Sequence, residues 1–184
     1  MRKFGSAACK SWASRFRRRG FWRDEKGVTI VEFAAVAAPF FFTLFAVLEV
    51  ATIFFGSSAL ETGVQEAARM IRTRELQLSG GGLEEFRAKL CEEATGLISC
   101  GSKLNIDVRT YPSFADADMD PPVDSEGNPL PGSFIPGGPL DVVVVRAYYV
   151  WDVHTPFLGV LLGNIGSTNS RLLLSTAAFR NEPS

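Results

Sequence analysis

Histidine is almost absent from this sequence, because His154 is the only one among 184 residues, and cysteine occurs only three times. A single His excludes two-His metal sites and His-based sites that need a second His. His154 lies near Asp152 at the end of a predicted strand, with no nucleophile motif around it. The sequence also has no Gly-rich phosphate loop, no metal-spaced Cys/His cluster and no internal repeat. We therefore expect no enzymatic activity, no cofactor and no metal site.

Strongly polar residues are also scarce in one long stretch, because residues 28–55 contain no Lys, Arg, Asp, Asn or Gln. About 20 apolar residues suffice to cross a bilayer as a helix, so this segment predicts a transmembrane helix. Glu32 interrupts it near its start, where an unpaired charge costs roughly 2 to 4 kcal/mol. Glu32 therefore needs a cation from a neighbouring chain, or a position shallow enough to reach the headgroups. Glu49 lies about 32 Å beyond Val28 along a helix, which predicts a carboxylate at the far headgroups.

Positive charge is concentrated before this segment. Residues 1–26 have a net charge of +7 and residues 28–184 a net charge of −8. A Lys/Arg excess beside a first membrane helix holds that end in the cytoplasm, which places residues 80–184 outside. The run at 15–23 could also be a nucleic-acid patch, but the adjacent span favours topology, and we expect no nucleic-acid partner. A secretory signal peptide is the other alternative, although its apolar region should be only about 7 to 15 residues long.

The residues around Glu32 resemble a known family. Gly27, four further residues and then Glu32-Phe33, after a basic leader, resemble the cleavage and assembly signature of type IV prepilins. More narrowly, the run resembles the TadE-like minor pilins, or pseudopilins, of the tight-adherence (Flp, type IVb) pilus system. The matching residues are Gly27, Val31, Glu32, Phe33, Ala34 and Pro39.

This resemblance implies a function. A prepilin peptidase would cut between Gly27 and Val28, and Glu32 and Phe33 would take part in subunit assembly. The implied partners are that peptidase, other pilin and pseudopilin subunits, the inner-membrane assembly platform and the lipid bilayer. The implied location is the inner membrane, with a single span, a cytoplasmic N-terminus and a periplasmic C-terminal domain, and with incorporation into the pilus left open. The alternative is an uncleaved single-pass protein whose outer domain binds a ligand.

Beyond the membrane segment, the sequence predicts an α+β domain. Helical spacing continues over 56–79, with an apolar stripe formed by Leu60, Val64, Ala67, Ala68 and Ile71. The three glycines at 80–82 should end this helix, and residues 83–94 fit a short second helix. Strand patterns at 104–111, 141–151 and 171–179 indicate an antiparallel sheet of about three strands. The predicted organisation is a leader at 1–27, a span at 28–55, a continuing helix at 56–79 and a small domain at 80–184.

Residues 112–139 form a Pro-rich acidic stretch that predicts a long exposed loop. Asp116, Asp118 and Asp120 have the first ligand spacings of an EF-hand, but Pro121 and Gly127 stand where that loop needs Gly and Glu, so a solvated loop is favoured over a calcium site. The apolar stretch at 155–166 is too short to span a membrane. We expect it to cover the core, or to face the membrane or a neighbouring subunit.

The cysteines divide between the two sides of the predicted span. Cys9 lies in the leader, while Cys91 and Cys100 lie in the domain placed outside, where disulfides persist. We expect Cys91 and Cys100 to form a disulfide, with two free buried thiols as the alternative.

Overall fold

The structure of the chain is a computed structural model. Its compact parts are two units, one ending at Phe41 and the other comprising Phe42–Ser184. The structure describes residues 25–94, 96–118, 120, 123–125, 128–155, 157–165 and 169–183.

The first helix, α1, comprises Glu25–Arg72 and includes Pro39. Its apolar composition and the lack of glycine between Gly27 and Gly56 favour helix over this length. The apolar stripe expected beyond the membrane segment is buried in the hydrophobic core, from Leu60 to Ile71. The C-terminal part of α1 therefore packs in the core of the domain.

The end of α1 differs from the prediction of one helix as far as residue 79. The helix ends at Arg72, Arg74 adopts a left-handed conformation with φ 64°, and a separate short helix α2 (Glu75–Leu78) follows. The carbonyl of Arg72 accepts a hydrogen bond of 2.9 Å from the Glu182 amide. The C-terminal tail thus supplies the donor that the next turn would supply if the helix continued. The turn also brings Leu76 into the core, where it is fully buried.

The second predicted helix is present as α3, Leu83–Glu93, which buries Phe86 and Leu90. A Cβ on Gly63 of α1 would lie 2.8 Å from the Leu90 carbonyl oxygen, so the absence of a side chain permits close helix packing here. A disulfide joins Cys91 at the end of α3 to Cys100.

Three antiparallel strands form a sheet in the order β1 (Leu104–Tyr111), β2 (Val142–Asp152) and β3 (Ser170–Arg180). A short helix α4, Leu158–Leu162, lies between the last two strands. The expected α+β architecture is confirmed.

The two faces of the sheet are buried by different parts of the chain. Val108, Val145 and Ala177 are paired across the strands, and they belong to the same core as α1 and α3. The opposite face of β2 is buried as well, although it bears Arg146 and Tyr148. A strand in the middle of the sheet thus has no solvent-facing side over most of its length.

The predicted exposed loop at 112–139 partly accounts for that burial. Its residues Ser133 and Ile135 pair with Val108 at the edge of β1, through hydrogen bonds of 2.7 and 2.9 Å. The Tyr148 hydroxyl donates to the Leu130 carbonyl at 2.6 Å. The expectation of a solvated loop therefore needs correction, because the second half of the segment packs against the sheet and satisfies its polar groups.

Candidate functional site

The apolar segment of α1 presents most of its large side chains to the surroundings. Val36 is 71% exposed and Phe54 is 69% exposed, and neither packs in the core. Among the described residues, one helix, Val28–Arg72, is long and apolar enough to cross a membrane. A surface of this composition is costly in water, which makes the protein compatible with a single membrane span.

Glu32 and Phe33 lie on this surface one helical turn after Val28. Phe33 is 70% exposed and Glu32 is exposed. Within the described part of the chain, no hydrogen-bonding or ion-pairing group meets the Glu32 carboxylate. Val28 and Glu32 are four residues apart, so they lie on the same side of α1.

The predicted cleavage bond, between Gly27 and Val28, lies within the first turn of α1. Residues 1–24, which make up most of the predicted leader and include Cys9, lie outside the described residues. The structure thus places Gly27, Val28, Glu32 and Phe33 on adjacent turns of one helix. Cys91 and Cys100, the other predicted site residues, form the disulfide of the second unit.

A lone carboxylate on an apolar helical surface can bind one kind of group well. In hydrocarbon, a cation at hydrogen-bonding distance offsets the cost of the negative charge, whereas a neutral neighbour does not. An amine supplied by another chain at this depth would form such a pair. The arrangement is therefore suited to contact between helices.

The second carboxylate of the apolar segment has a different environment. Glu49 is only 10% exposed, and its carboxylate accepts hydrogen bonds from the Thr155 hydroxyl at 3.0 Å and the Thr155 amide at 3.2 Å. The His154 amide donates to it at 3.3 Å. The prediction of a simple headgroup carboxylate missed these bonds, because their donors lie more than 100 residues away in the sequence.

His154 itself has no catalytic neighbours among the described residues. Its imidazole is 82% exposed, and Nδ1 lies 4.0 Å from the Glu49 carboxylate. Between these two residues and the side chains of Phe42, Phe45, Leu48 and Thr52 there is an open cleft of about 560 Å³, here called the Glu49 cleft. Its lining is mainly apolar, so it is suited to an apolar occupant.

A buried ion pair lies on the loop-covered face of the sheet. Arg146 donates from Nη2 to Asp107 Oδ2 at 2.9 Å, and both side chains are almost completely buried. The other oxygen of Asp107 accepts from the Ser133 amide and from Arg109. Burial acts to raise the pKa of Asp107, but the hydrogen bonds from Ser133 and Arg109 outweigh it and hold that pKa below its ordinary value.

The same arginine bears on the calcium alternative. Arg146 Nη1 donates to the Asp120 carbonyl at 2.6 Å and to the Asp118 carbonyl at 3.4 Å. The Arg146 guanidinium is thus hydrogen-bonded to two backbone carbonyl oxygens of the acidic stretch. In the part of the chain that is described, no group of three or more His, Cys, Asp or Glu side chains is placed to hold a metal ion.

Comparison with known sequences identifies the N-terminal segment. Residues 27–69 match the sequence model of the family described as TadE-like protein. No curated protein and no solved structure matches the chain. The match begins at Gly27, includes Glu32 and Phe33, and ends in the outer part of α1, so the resemblance seen in the sequence is confirmed. Over residues 27–69 the chain is therefore similar to the TadE-like family, and this similarity supports an association with the Tad pilus system.

Proposed function

We propose that this protein is a minor pilin or pseudopilin that takes part in assembly of a type IVb (Flp/Tad) pilus. The observation that supports the proposal best is the exposed Glu32, which has no partner among the described residues and lies one turn from Val28 on an apolar helix. An ordinary membrane anchor has no use for a carboxylate at that position, where it is costly. Its role is structural rather than enzymatic, and its partners are other subunits and the inner-membrane assembly platform.

Cleavage after Gly27 is the first step of the proposed pathway. It would remove a leader of high positive charge and leave a mature chain of 157 residues, 184 minus 27. The leader anchors the helix at the cytoplasmic surface, because moving Lys and Arg across the bilayer is unfavourable. Its removal would free α1 to leave the membrane along its axis during assembly.

Cleavage also creates the cation that Glu32 needs. The new α-amine of Val28 lies four residues from Glu32, or about 6 Å along the helix at a rise of 1.5 Å per residue. A neighbouring chain displaced by that distance would place its amine level with Glu32. Such pairing would set the axial register between subunits.

The test is the intact mass of the protein purified from membranes of cells with an active prepilin peptidase. We expect a chain that begins at Val28. Gly27→Glu should leave the full-length protein, while Gly101→Glu serves as a control because a Cβ at Gly101 would meet no atom within 4 Å. A wild-type protein that keeps its leader would contradict the proposal and favour an uncleaved single-pass protein with an extracytoplasmic binding domain.

A further inference from the structure

The segment that contains α4 combines burial on one side with strong exposure on the other. Leu158 is buried in the core, whereas Phe157, Val160 and Leu161 are 80%, 84% and 79% exposed. These three side chains are here called the α4 tip. No charged residue occurs between Thr155 and Ser170. Exposed apolar side chains are common singly, but three together in an uncharged stretch indicate a contact surface.

Contacts with α1 locate this segment in the domain. Trp151, near the end of β2, lies against Gly56, where an added Cβ would be 2.8 Å from the indole ring. Four residues later, Thr155 meets Glu49. Glu49 precedes Gly56 by seven residues, or roughly 10 Å of helix. The chain after β2 therefore runs along α1 toward its apolar segment, and the α4 tip follows directly.

Glu49 holds this segment against α1. Its carboxylate accepts two hydrogen bonds from Thr155 and one from the His154 amide. Bonds to a charged acceptor are stronger than those between neutral groups. These bonds fix the residues that precede the α4 tip beside the part of α1 where the apolar run approaches its end.

The surface beside the tip is apolar too. Phe42, Phe45 and Leu48 line the Glu49 cleft, and all three are also substantially exposed. The cleft therefore forms part of the apolar surface of the candidate membrane span. His154 and Thr155, which also line the cleft, shortly precede the tip in the chain and link this apolar surface of α1 to the domain.

We propose that the α4 tip inserts into the membrane leaflet on the domain's side, and that lipid acyl chains fill the Glu49 cleft. This inference rests on the membrane span of the proposed function. A bilayer fits better than a protein partner because a stable protein interface uses about 20 to 30 residues a side, far more than this tip offers. A small apolar cluster can instead be buried about 5 to 10 Å deep at the boundary between headgroups and acyl chains, as the apolar face of an interfacial helix is.

The inference can be tested with the full-length protein in vesicles of phosphatidylethanolamine and phosphatidylglycerol. The photoreactive residue p-benzoylphenylalanine replaces Val160 or, in a second variant, Leu161. The same residue at Val36 is the positive control for lipid contact. At Phe114 it is the negative control, because Phe114 is exposed and follows Tyr111, at the end of the sheet away from α4. An intact Cys91–Cys100 disulfide verifies folding of every variant.

After illumination, we expect mass spectrometry to show lipid adducts at positions 160, 161 and 36 and no lipid adduct at position 114. Adducts at 36 but not at 160 or 161 would overturn this inference and leave the proposed function standing. Protein adducts at 160 and 161 in place of lipid would overturn it in favour of a subunit contact. No lipid adduct even at 36 would overturn the membrane span and this inference together.

The role of Glu49 can be separated from that of the tip. Glu49→Ala removes the acceptor of all three hydrogen bonds, so the adduct yield at 160 should fall while the yield at 36 stays unchanged. Thr52→Ala is a matched control, since Thr52 lines the same cleft but its hydroxyl bonds only to the Glu49 backbone carbonyl. An unchanged yield at 160 in Glu49→Ala would show that Glu49 does not position the tip.

Discussion

At the scale of single residues, Glu32 gives the most direct test of assembly. Glu32→Gln keeps the shape of the side chain and removes only its charge. We expect the variant to insert and to form the Cys91–Cys100 disulfide, but to lose crosslinking to pilin partners in membranes and to abolish piliation or surface attachment. The physical reason is that an amide cannot offset the charge of a neighbour's amine at that depth.

Phe33 supplies the matched comparison for Glu32. Phe33→Leu keeps an apolar exposed side chain next to an unchanged carboxylate, so it should retain more partner crosslinking than Glu32→Gln. Normal crosslinks and normal attachment in Glu32→Gln would contradict the pairing mechanism, and would favour a carboxylate that is neutral or reaches the headgroups.

The Asp107–Arg146 pair is the second residue-scale prediction. Asp107→Ala leaves a buried guanidinium without its carboxylate, so we expect the free energy of unfolding in detergent micelles to fall by about 3 to 5 kcal/mol. Asp116→Ala, in the exposed part of the loop, should change it by less than about 0.5 kcal/mol. Urea unfolding followed by circular dichroism measures both. Removal of both partners, in Asp107→Leu/Arg146→Met, should recover much of the loss.

The same pair predicts a dependence on pH. Because the pKa of Asp107 is lowered in the folded protein from an ordinary value of 3.8, the unfolded chain binds its proton more readily. The stabilisation is therefore complete above that ordinary value and is lost as the pH falls toward the folded pKa. The wild type should lose more stability between pH 5 and pH 3 than the double variant, which lacks the titrating group. Parallel pH profiles for the two proteins would contradict this assignment.

Arg146 shows what a residue-level prediction from the sequence could and could not provide. The run from Val142 to Trp151 is too continuously apolar for a strand with one solvated face, and an arginine inside it must then be buried and paired. That signal was available. The identity of its partner was not, because Asp107 becomes a neighbour of Arg146 only through the strand register.

At the scale of elements, local patterns predicted the strands well. The expected strand at 104–111 matches β1, and the other two predicted strands differ from β2 and β3 by one residue at each end. The end of α1 was predicted less well, because helical spacing continues through residues 73–78. The break after Arg72 depends on the amide of Glu182, which is distant in sequence, and on burial of Leu76, which the rest of the domain provides.

The docked half of the loop at 112–139 gives the element-scale prediction. A Cβ on Gly132 would lie 1.9 Å from the Ile106 carbonyl oxygen, so Gly132→Ala must push this segment away from β1. We expect destabilisation by about 1 to 3 kcal/mol, as for other overpacked sites. Gly101→Ala, where the new methyl group meets nothing within 4 Å, is the matched control and should be nearly neutral. Equal unfolding midpoints for the two variants would mean that the segment is not packed against β1 in solution.

At the scale of the whole molecule, the sequence predicts membrane topology more readily than tertiary contacts. Apolar length and the sign of flanking charge are properties of contiguous segments, so residues 1–26 and 28–55 indicate both a span and its direction. In contrast, the contact between Glu49 and Thr155 joins segments about 100 residues apart, and it sets the position of the chain that leads into α4. Neither this contact nor the position of α4 could be predicted without the fold.

Orientation gives the last prediction, and the native cysteines make it measurable. Cys91 and Cys100 are joined in a disulfide, which leaves Cys9 in the basic leader as the remaining cysteine of the three. In the Gly27→Glu variant, which should keep its leader, the positive charge of residues 1–26 is expected to hold Cys9 in the cytoplasm. A membrane-impermeant maleimide added to intact spheroplasts should therefore leave Cys9 unmodified, and detergent lysis should expose it. Ser125→Cys, at an exposed position of the domain, should react from outside before lysis. Reaction of Cys9 in intact spheroplasts, with Ser125→Cys protected, would show the opposite orientation, because the reagent reaches only groups on the outer side.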